Sequence, residues 1–512
     1  MLVKTYGSAC YGVKAITITI EVDVSPGLGF SMVGLPDNAV KESQQRISTA
    51  VQSIGLRMPG RKVVINMAPA DIRKEGSAYD LPLAVGILAA SEQLNPSRLE
   101  QYVLMGELSL DGHLRPIAGA LPIAIQARSE SFAGFILPKE NAREAAVVNK
   151  LRVYGMDTLQ EVLDFFNETK SFEPLTVNTR EEFAGHTATY GVDFSDVKGQ
   201  ENVKRALEIA AAGGHNMIMI GPPGAGKTML AKRLPTILPP LSLQESLETT
   251  KIHSVAGKTG KNSGLIVCRP FRSPHHTISN VGLVGGGSNP QPGEISLAHN
   301  GVLFLDELPE FQRTVLEVMR QPLEDRQITV TRAKYSVDYP ASFMLIASMN
   351  PCPCGHYNHP DKKCLCPPGA VQKYLSRISG PLLDRIDIHI EITPVPFARL
   401  SELQASESSA TVRERVVRAR EVQKQRFAGE EGIHHNAMMP ARLLKKYCVL
   451  DEPCQGLLKQ AMERLGLSAR AYDRILKVAR TVADLAQQER ILPEHIAEVI
   501  QYRSLDREGW TG

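Results

Sequence analysis

The stretch Gly221-Pro222-Pro223-Gly224-Ala225-Gly226-Lys227-Thr228 decides how the rest of the chain is read. It follows the apolar run Met217-Ile218-Met219-Ile220 and precedes Met229 to Leu234, so strand, glycine-rich turn and helix stand in the order of a phosphate-binding loop. Glycines let the backbone curl until consecutive N–H groups and the N-terminus of the next helix face an anion. Lys227 is then placed to neutralise the β- and γ-phosphates of ATP, and the Thr228 hydroxyl to ligate Mg2+. Gly221 through Thr228 is the expected nucleotide-binding loop.

Outward from this loop, 78 residues lie between Lys227 and Asp306, and Val302-Leu303-Phe304-Leu305 supplies a strand that holds Asp306 and Glu307 at its carboxyl end. Asp306 is the expected Mg2+ ligand, directly or through water. Glu307 is the expected general base, because ATP hydrolysis needs a proton acceptor beside the attacking water. Phe343-Met344-Leu345-Ile346 begins a further strand that ends at Ser348-Met349-Asn350, where Asn350 can hydrogen-bond the γ-phosphate or its water. Short apolar runs of this kind are typical of a parallel sheet buried on both faces. Leu382-Leu383-Asp384-Arg385-Ile386-Asp387 presents Arg385 just before another strand, with Arg377 eight positions earlier as its rival.

These motifs in this order resemble the AAA+ ATPases. The resemblance implies that Asn350 is sensor 1 and that Arg385 is a finger reaching a neighbouring subunit's nucleotide, a contact worth roughly 10³–10⁵ in rate. It also implies that Ser468-Ala469-Arg470 opens the sensor 2 helix with Arg470 on the γ-phosphate, Arg474 being the nearest competitor. Phe194 to Gln200, FSDVKGQ, is similar to the segment that borders adenine in that class.

Two inserts narrow the class. One contains Phe271-Arg272-Ser273-Pro274-His275-His276-Thr277 and the glycine run Gly285 to Gly287; the other, Gln327 to Asp338, reads strand, basic tip, strand, with Arg332 and Lys334 at the tip. They resemble the helix-2 insert and pre-sensor-1 hairpin of magnesium chelatase ATPase subunits and of replicative helicases of the minichromosome-maintenance type. In those helicases such hairpins contact DNA phosphates in a central pore. A cationic tip suits a polyanion through counterion release, so Arg332 and Lys334 are the expected DNA contacts; the alternative is that they only solvate a β-turn. Adjacent histidines rarely share one ion, so His275 and His276 are read as loop packing or substrate contacts.

A chain of 512 residues calls for three or four units at about 150 residues each. Hydrophobic residues at 43% and charged residues at 22% exclude a mainly disordered, collagen-like or membrane-embedded chain. A net charge of +3 requires any basic binding surface to be local. No leader-like start or membrane-length apolar run is read, and a cytoplasmic location is expected. The expected fold is α/β: a mixed unit over 1–168, a polar connection over 169–189, an ATPase core over 190–395 and an all-α lid over 396–512. In the first unit Ile16, Ile18, Ile20 and Val22 alternate with Thr17, Thr19 and Glu21 as in a half-buried strand, and Leu81 to Ala90 reads as a buried helix.

Lys74 to Ala90, Gly106 to Leu121 and Ile136-Leu137-Pro138-Lys139-Glu140-Asn141 resemble the proteolytic domain of Lon proteases. Registration against that domain puts Ala78 at the place of the nucleophilic serine and Leu121 at that of the activating lysine. Ser77 stands next door, but no lysine compensates at 121, so the expectation is a Lon-like fold without the protease. Four of the eight cysteines, Cys352, Cys354, Cys364 and Cys366, fall within fifteen positions in a loop rich in Pro and Gly. They offer four soft ligands for a structural Zn2+, with His356 or His359 as substitutes.

Together these resemblances span the chain, which is identified as a member of the bacterial YifB/ComM family. The family's competence member is a hexameric DNA helicase that drives branch migration during natural transformation. The resemblance therefore implies a homo-hexameric, ATP- and Mg2+-dependent motor on single-stranded and branched DNA, in a recombinase-associated role and away from membranes. A chelatase-like remodeller of a protein partner is the rival reading.

Overall fold

The period-two alternation around Ile18 forms the expected strand, with Ile18, Ile20 and Val22 fully buried and the intervening side chains half-buried. The computed structural model describes residues 1–185, 190–260, 263–287, 290–332, 335–357, 362–394 and 406–503. In the N-terminal unit the strands are β1 (Leu2–Tyr11), β2 (Lys14–Ser25), β3 (Phe30–Val33), β4 (Lys62–Ala68), β5 (Tyr102–Leu104), β6 (Gly134–Pro138) and β7 (Arg152–Met156). They make one sheet in the order β3-β4-β2-β1-β5-β6-β7. The pairs β1/β2 and β2/β4 are antiparallel; β1/β5, β5/β6 and β6/β7 are parallel. Helix Asp80–Ala90 is apolar on every side and buried at every position, as such a helix must be, and it covers β1 and β2.

The second sheet contains β8 (Met217–Ile220), β9 (Phe271–Arg272), β10 (Val302–Leu305), β13 (Met344–Met349) and β14 (Ile388–Glu391), in the order β9-β10-β13-β8-β14 with all neighbours parallel. Every residue of β8, β10 and β13 is buried, which explains their uninterrupted apolar runs. Between β10 and β13 an antiparallel hairpin is formed by β11 (Gln327–Arg332) and β12 (Tyr335–Pro340). Because the sheet is parallel, the loops after β8, β10 and β13 leave from one edge. That edge is where the phosphate loop, Asp306 and Asn350 meet, as ligand sites in such sheets do.

C-terminal to β14 the described residues are helical: Ser409–Arg426, Ala441–Tyr447, Glu452–Leu465, Ala469–Leu485 and Pro493–Ile500. Ala441–Tyr447, at seven residues, is too short to display a period in the sequence. The polar stretch before residue 190 is not simply an exposed connection. It holds helix Thr179–Gly185, whose buried Thr179 donates to Val147 O at 2.7 Å, and Leu175 bridges to Val153 of β7. The N-terminal unit packs directly on the ATPase core. Tyr11 Oη donates to Ser336 O of β12 at 3.2 Å, Gly119 N to Ser254 O at 2.9 Å, and buried Glu144 accepts from Ser254 Oγ and from Thr259 Oγ1. No helix among the described residues is long and apolar enough to cross a membrane.

Candidate nucleotide site and its arginine edge

The phosphate loop is shaped by where side chains cannot go. A Cβ on Gly221 would lie 2.5 Å from Ile392 O, while Gly224 and Gly226 take φ of +80° and +86°, a region L side chains avoid. Lys227 begins helix Lys227–Ile237 and is nearly buried; its Nζ donates to Gly221 O at 2.6 Å, Pro222 O at 3.0 Å and Asn350 Oδ1 at 3.1 Å. Burial lowers its pKa, against the opposing pull of the Asp306 and Glu307 carboxylates. The ammonium is thus held by neutral oxygens at the mouth of a curled loop, a donor set that fits a polyphosphate.

Thr228 Oγ1 donates to Asp306 Oδ2 at 2.7 Å, and the other Asp306 oxygen accepts from Ser348 Oγ and from Glu307 N at 3.1 Å. A hydroxyl and a carboxylate in contact, both hard oxygen donors, fit Mg2+. Ser348 was not singled out from sequence, although the register predicts it: Leu305 pairs with Ala347, so the next residues, Asp306 and Ser348, must be neighbours. Glu307 itself is left-handed, with φ +55° and ψ 49°, a strained state for a residue with a side chain. Its half-exposed carboxylate faces His276 Nδ1 at 3.6 Å. His276 in turn stacks on His275 and meets the edge of Phe311.

Arg385 and Arg470 come together at the opposite edge of the sheet. Arg385 pairs with Glu324 at 2.5 Å and donates to Pro381 O, and Arg470 pairs with Asp384 at 3.1 Å; all four acidic and basic side chains line one cleft. Arg474 lies on buried Asp387 at 3.0 Å, whose other oxygen faces His215. Burial alone would raise the Asp387 pKa, but Arg474 and His215 hold it well below the usual carboxylate range. In β8 and β14, Met217 pairs with Ile388 and Ile220 with Glu391. The strand length between this edge and the phosphate loop is therefore about 13 Å. Arg470 thus does not stand at its own chain's phosphate loop, as a sensor 2 read along a single chain implies; the lid's attachment sets it beside Arg385. Arg377, the rival finger, is half-exposed and pairs with Glu310 at 2.8 Å.

The cysteine loop begins directly after Asn350. Sγ atoms of Cys352, Cys354, Cys364 and Cys366 all lie within 4.8 Å of one another, with Cys352–Cys354 at 3.3 Å, Cys352–Cys364 at 3.8 Å and Cys354–Cys364 at 3.6 Å. These separations are far beyond an S–S bond and match the edges of about 3.8 Å expected for a tetrahedron with Zn–S of about 2.3 Å. Backbone N–H groups of Leu365 and His356 pull the Cys354 thiol down, while desolvation and the neighbouring thiols push those of Cys364 and Cys366 up, so these three thiols titrate together. The group of four closes without His356; His359 lies outside the described residues.

Two other expectations meet the structure less fully. Arg332 ends β11 opposite Tyr335 at the hairpin tip, but its side chain and all of Lys334 lie outside the described residues. In the N-terminal unit Ala78 lines a cleft of about 600 Å³, whereas Leu121 is fully buried. Ser77 Oγ donates to Glu107, and buried Lys74 is bonded to Pro69 O.

A parallel sheet with the phosphate loop, acidic pair and asparagine on one edge, a hairpin before the asparagine's strand and a helical lid defines an AAA+ ATPase of the magnesium-chelatase type. Residues 193–400 match the family described as magnesium chelatase, subunit ChlI, residues 20–141 the subunit ChlI of Mg-chelatase, and residues 406–503 its C-terminal part. Over 502 residues the chain is 47% identical to the uncharacterized protein YifB of Salmonella typhimurium, covering 98% of this chain and 96% of that one. Over 508 residues it is 44% identical to the competence protein ComM of Haemophilus influenzae, covering 99% and 98%. A shorter similarity, 27% over 206 residues and 39% of this chain, is to Lon protease 2 of Bacillus subtilis, of which it covers 33%. The chain belongs to the YifB/ComM family.

Proposed function

We propose that the protein is a Mg2+- and ATP-driven homo-hexameric DNA motor that moves branch points of recombination intermediates, in the setting that the name competence protein ComM gives its relative. The observation that carries this reading is the position of the hairpin. Its second strand, β12, is followed after the short connection 341–343 by β13, and the residue after β13, Asn350, accepts from Lys227. A displacement at the nucleotide is thereby linked, through β13 and the short connection 341–343, to the hairpin whose tip segment carries Arg332 and Lys334 in the sequence. Units 1–168, 190–395 and 396–512, joined through 169–189, would serve as inactive Lon-like body, motor and lid.

In this scheme Gly221 to Gly226 wrap the phosphates, Lys227 neutralises them and Asn350 positions the attacking water. Glu307 accepts the water's proton, so hydrolysis at neutral pH does not wait for free hydroxide. Thr228 and Asp306 would hold Mg2+, which supplies charge neutralisation when bound. Arg385 and Arg470, being on the far edge, act on the nucleotide of the next subunit in a head-to-tail ring. The four cysteines would hold a structural Zn2+.

Salt-sensitive binding to single-stranded and forked DNA, lost in an Arg332→Ala/Lys334→Ala double variant that still hydrolyses ATP, is the expected result. Unchanged DNA affinity in that variant refutes the motor reading. The chelatase-type matches along the chain favour a second reading, a remodeller of a protein partner. Hydrolysis insensitive to any DNA would select it. Proteolysis is not proposed, since Ser77 faces a carboxylate and Leu121 is buried, and casein should remain intact.

A further inference from the structure

The cysteine loop does more than close on itself: it lies against the phosphate loop. A Cβ placed on Gly355 would stand 2.5 Å from Pro223 Cδ and 3.0 Å from Cγ, so Gly355 is in van der Waals contact with the Pro223 ring. Gly355 is fixed there by its φ of +80° and by its N–H, which donates to Cys352 O at 3.0 Å. Cys352 is buried, and its Sγ also accepts from Tyr357 N at 3.3 Å. The base of the same loop holds the phosphate loop twice more, through Gly221 N to Met349 O at 3.2 Å and through Asn350 to Lys227. On the other side, Pro223 and Gly224 are exposed, and nothing lies within 4 Å of where a Gly224 Cβ would point. The cysteine loop is therefore the wall against which the exposed tip of the phosphate loop rests.

We propose that metal bound by Cys352, Cys354, Cys364 and Cys366 fixes this wall, so that metal occupancy and nucleotide binding are energetically coupled through the Gly355–Pro223 contact. The inference rests on the zinc reading above. Without metal the four thiols have no common bond, the turn around Gly355 is released, and the phosphate loop loses its support at Pro223. Coupling of this kind is reciprocal: nucleotide must then also perturb the metal.

The test uses the full chain with Co2+ in place of Zn2+, read by its thiolate charge-transfer and d–d absorption, and fluorescence titration with a labelled ATP analogue. Saturating AMP-PNP with Mg2+ should shift the d–d bands. Removing the metal should weaken nucleotide binding by about tenfold, within the roughly 5–150-fold range of site-to-site coupling. Gly355→Ala, which drives a methyl into Pro223, should weaken it similarly while elemental analysis still finds stoichiometric zinc. Pro223→Ala keeps the loop but removes the ring, and its cobalt bands should no longer respond to nucleotide. If the thiolate bands form but nucleotide leaves them unmoved, and metal-free protein binds the analogue within twofold of the metal-bound form, the coupling is refuted and the zinc site stands. Absence of thiolate bands, with less than half an equivalent of zinc in the native protein, overturns the zinc reading and the coupling with it.

Discussion

The placement of Arg385 and Arg470 can be tested by mixing two inactive variants. Lys227→Ala removes the ammonium from the phosphate loop, and Arg470→Ala removes a guanidinium from the opposite edge. Four strand residues separate the two, about 13 Å, too far for Arg470 to reach its own chain's γ-phosphate from its pairing with Asp384. Each variant alone should lose most hydrolysis; arginine fingers in general account for roughly 10³–10⁵ of rate. If Arg470 serves the neighbour's site, an Arg470→Ala subunit still has an intact phosphate loop and a Lys227→Ala subunit still has an intact arginine. Placed in the right order they rebuild one complete site. Random head-to-tail pairing of equal amounts puts that order at about a quarter of interfaces. The assay is phosphate release after the two purified variants are co-incubated under conditions that allow subunit exchange, with a tagged subunit confirming mixed rings. Recovery toward a quarter of the wild-type rate is expected, and the same result is expected with Arg385→Ala in place of Arg470→Ala. Mixed rings with no recovery would refute the placement, because a site complete within one chain cannot be rebuilt by mixing.

Glu307→Gln should retain ATP binding and reduce hydrolysis by about 10²–10⁴, the usual worth of a general base; hydrolysis at the wild-type rate would remove Glu307 from that role. Ser348→Ala takes away one of the donors orienting Asp306, and a tenfold or so rise in the Mg2+ concentration needed for half-maximal activity is expected, in line with outer-shell partners of metal ligands. Asp484 is buried and accepts from Arg426, Arg480 and Asn436, so Asp484→Ala strands two arginines and should cost about 3–5 kcal/mol, seen as a lower lid melting temperature. Lys477 is half-buried, and desolvation, helped by the neighbouring Arg474, pushes its pKa down to about 8. The folded state therefore binds that proton less tightly than the unfolded chain, and a penalty grows as pH falls from the ordinary lysine value through 8. Lys477→Met should raise the melting temperature near pH 7 and do so progressively less as pH rises toward 10; an effect independent of pH would show that the charge is not the cause.

Much of the ATPase core was legible because its chemistry is local. Lys227 and Thr228 follow their own strand, and Asp306 and Asn350 each end an apolar run that can only be a buried strand. In a parallel sheet such ends share an edge, so the meeting of these residues follows from the runs themselves. What was not legible depends on contacts between distant segments. Ser348 becomes a partner of Asp306 only once the register of β10 on β13 is known. Arg470 could be assigned to a helix start but not to an edge, because that depends on how helix Ala469–Leu485 packs near His215 and Asp387. The left-handed backbone of Glu307 has no signal in residue type. The Gly355–Pro223 contact joins residues 132 positions apart without any polar group to mark it.

The turn between β1 and β2 touches the hairpin of the ATPase core: Tyr11 bonds to Ser336, and a methyl on Gly12 would collide with Val337. Together with the burial of Glu144 against Ser254 and Thr259, this makes the seam between the two units part of each one's interior. An ATPase core cut free at residue 190 would lose Tyr11 and Val13 from the cluster containing Val337, uncover that apolar side chain to water and lose solubility. The N-terminal unit thus serves as upholstery for the ATPase core: its own site residues are free to vary, while the surface facing the core is held by what leans on it.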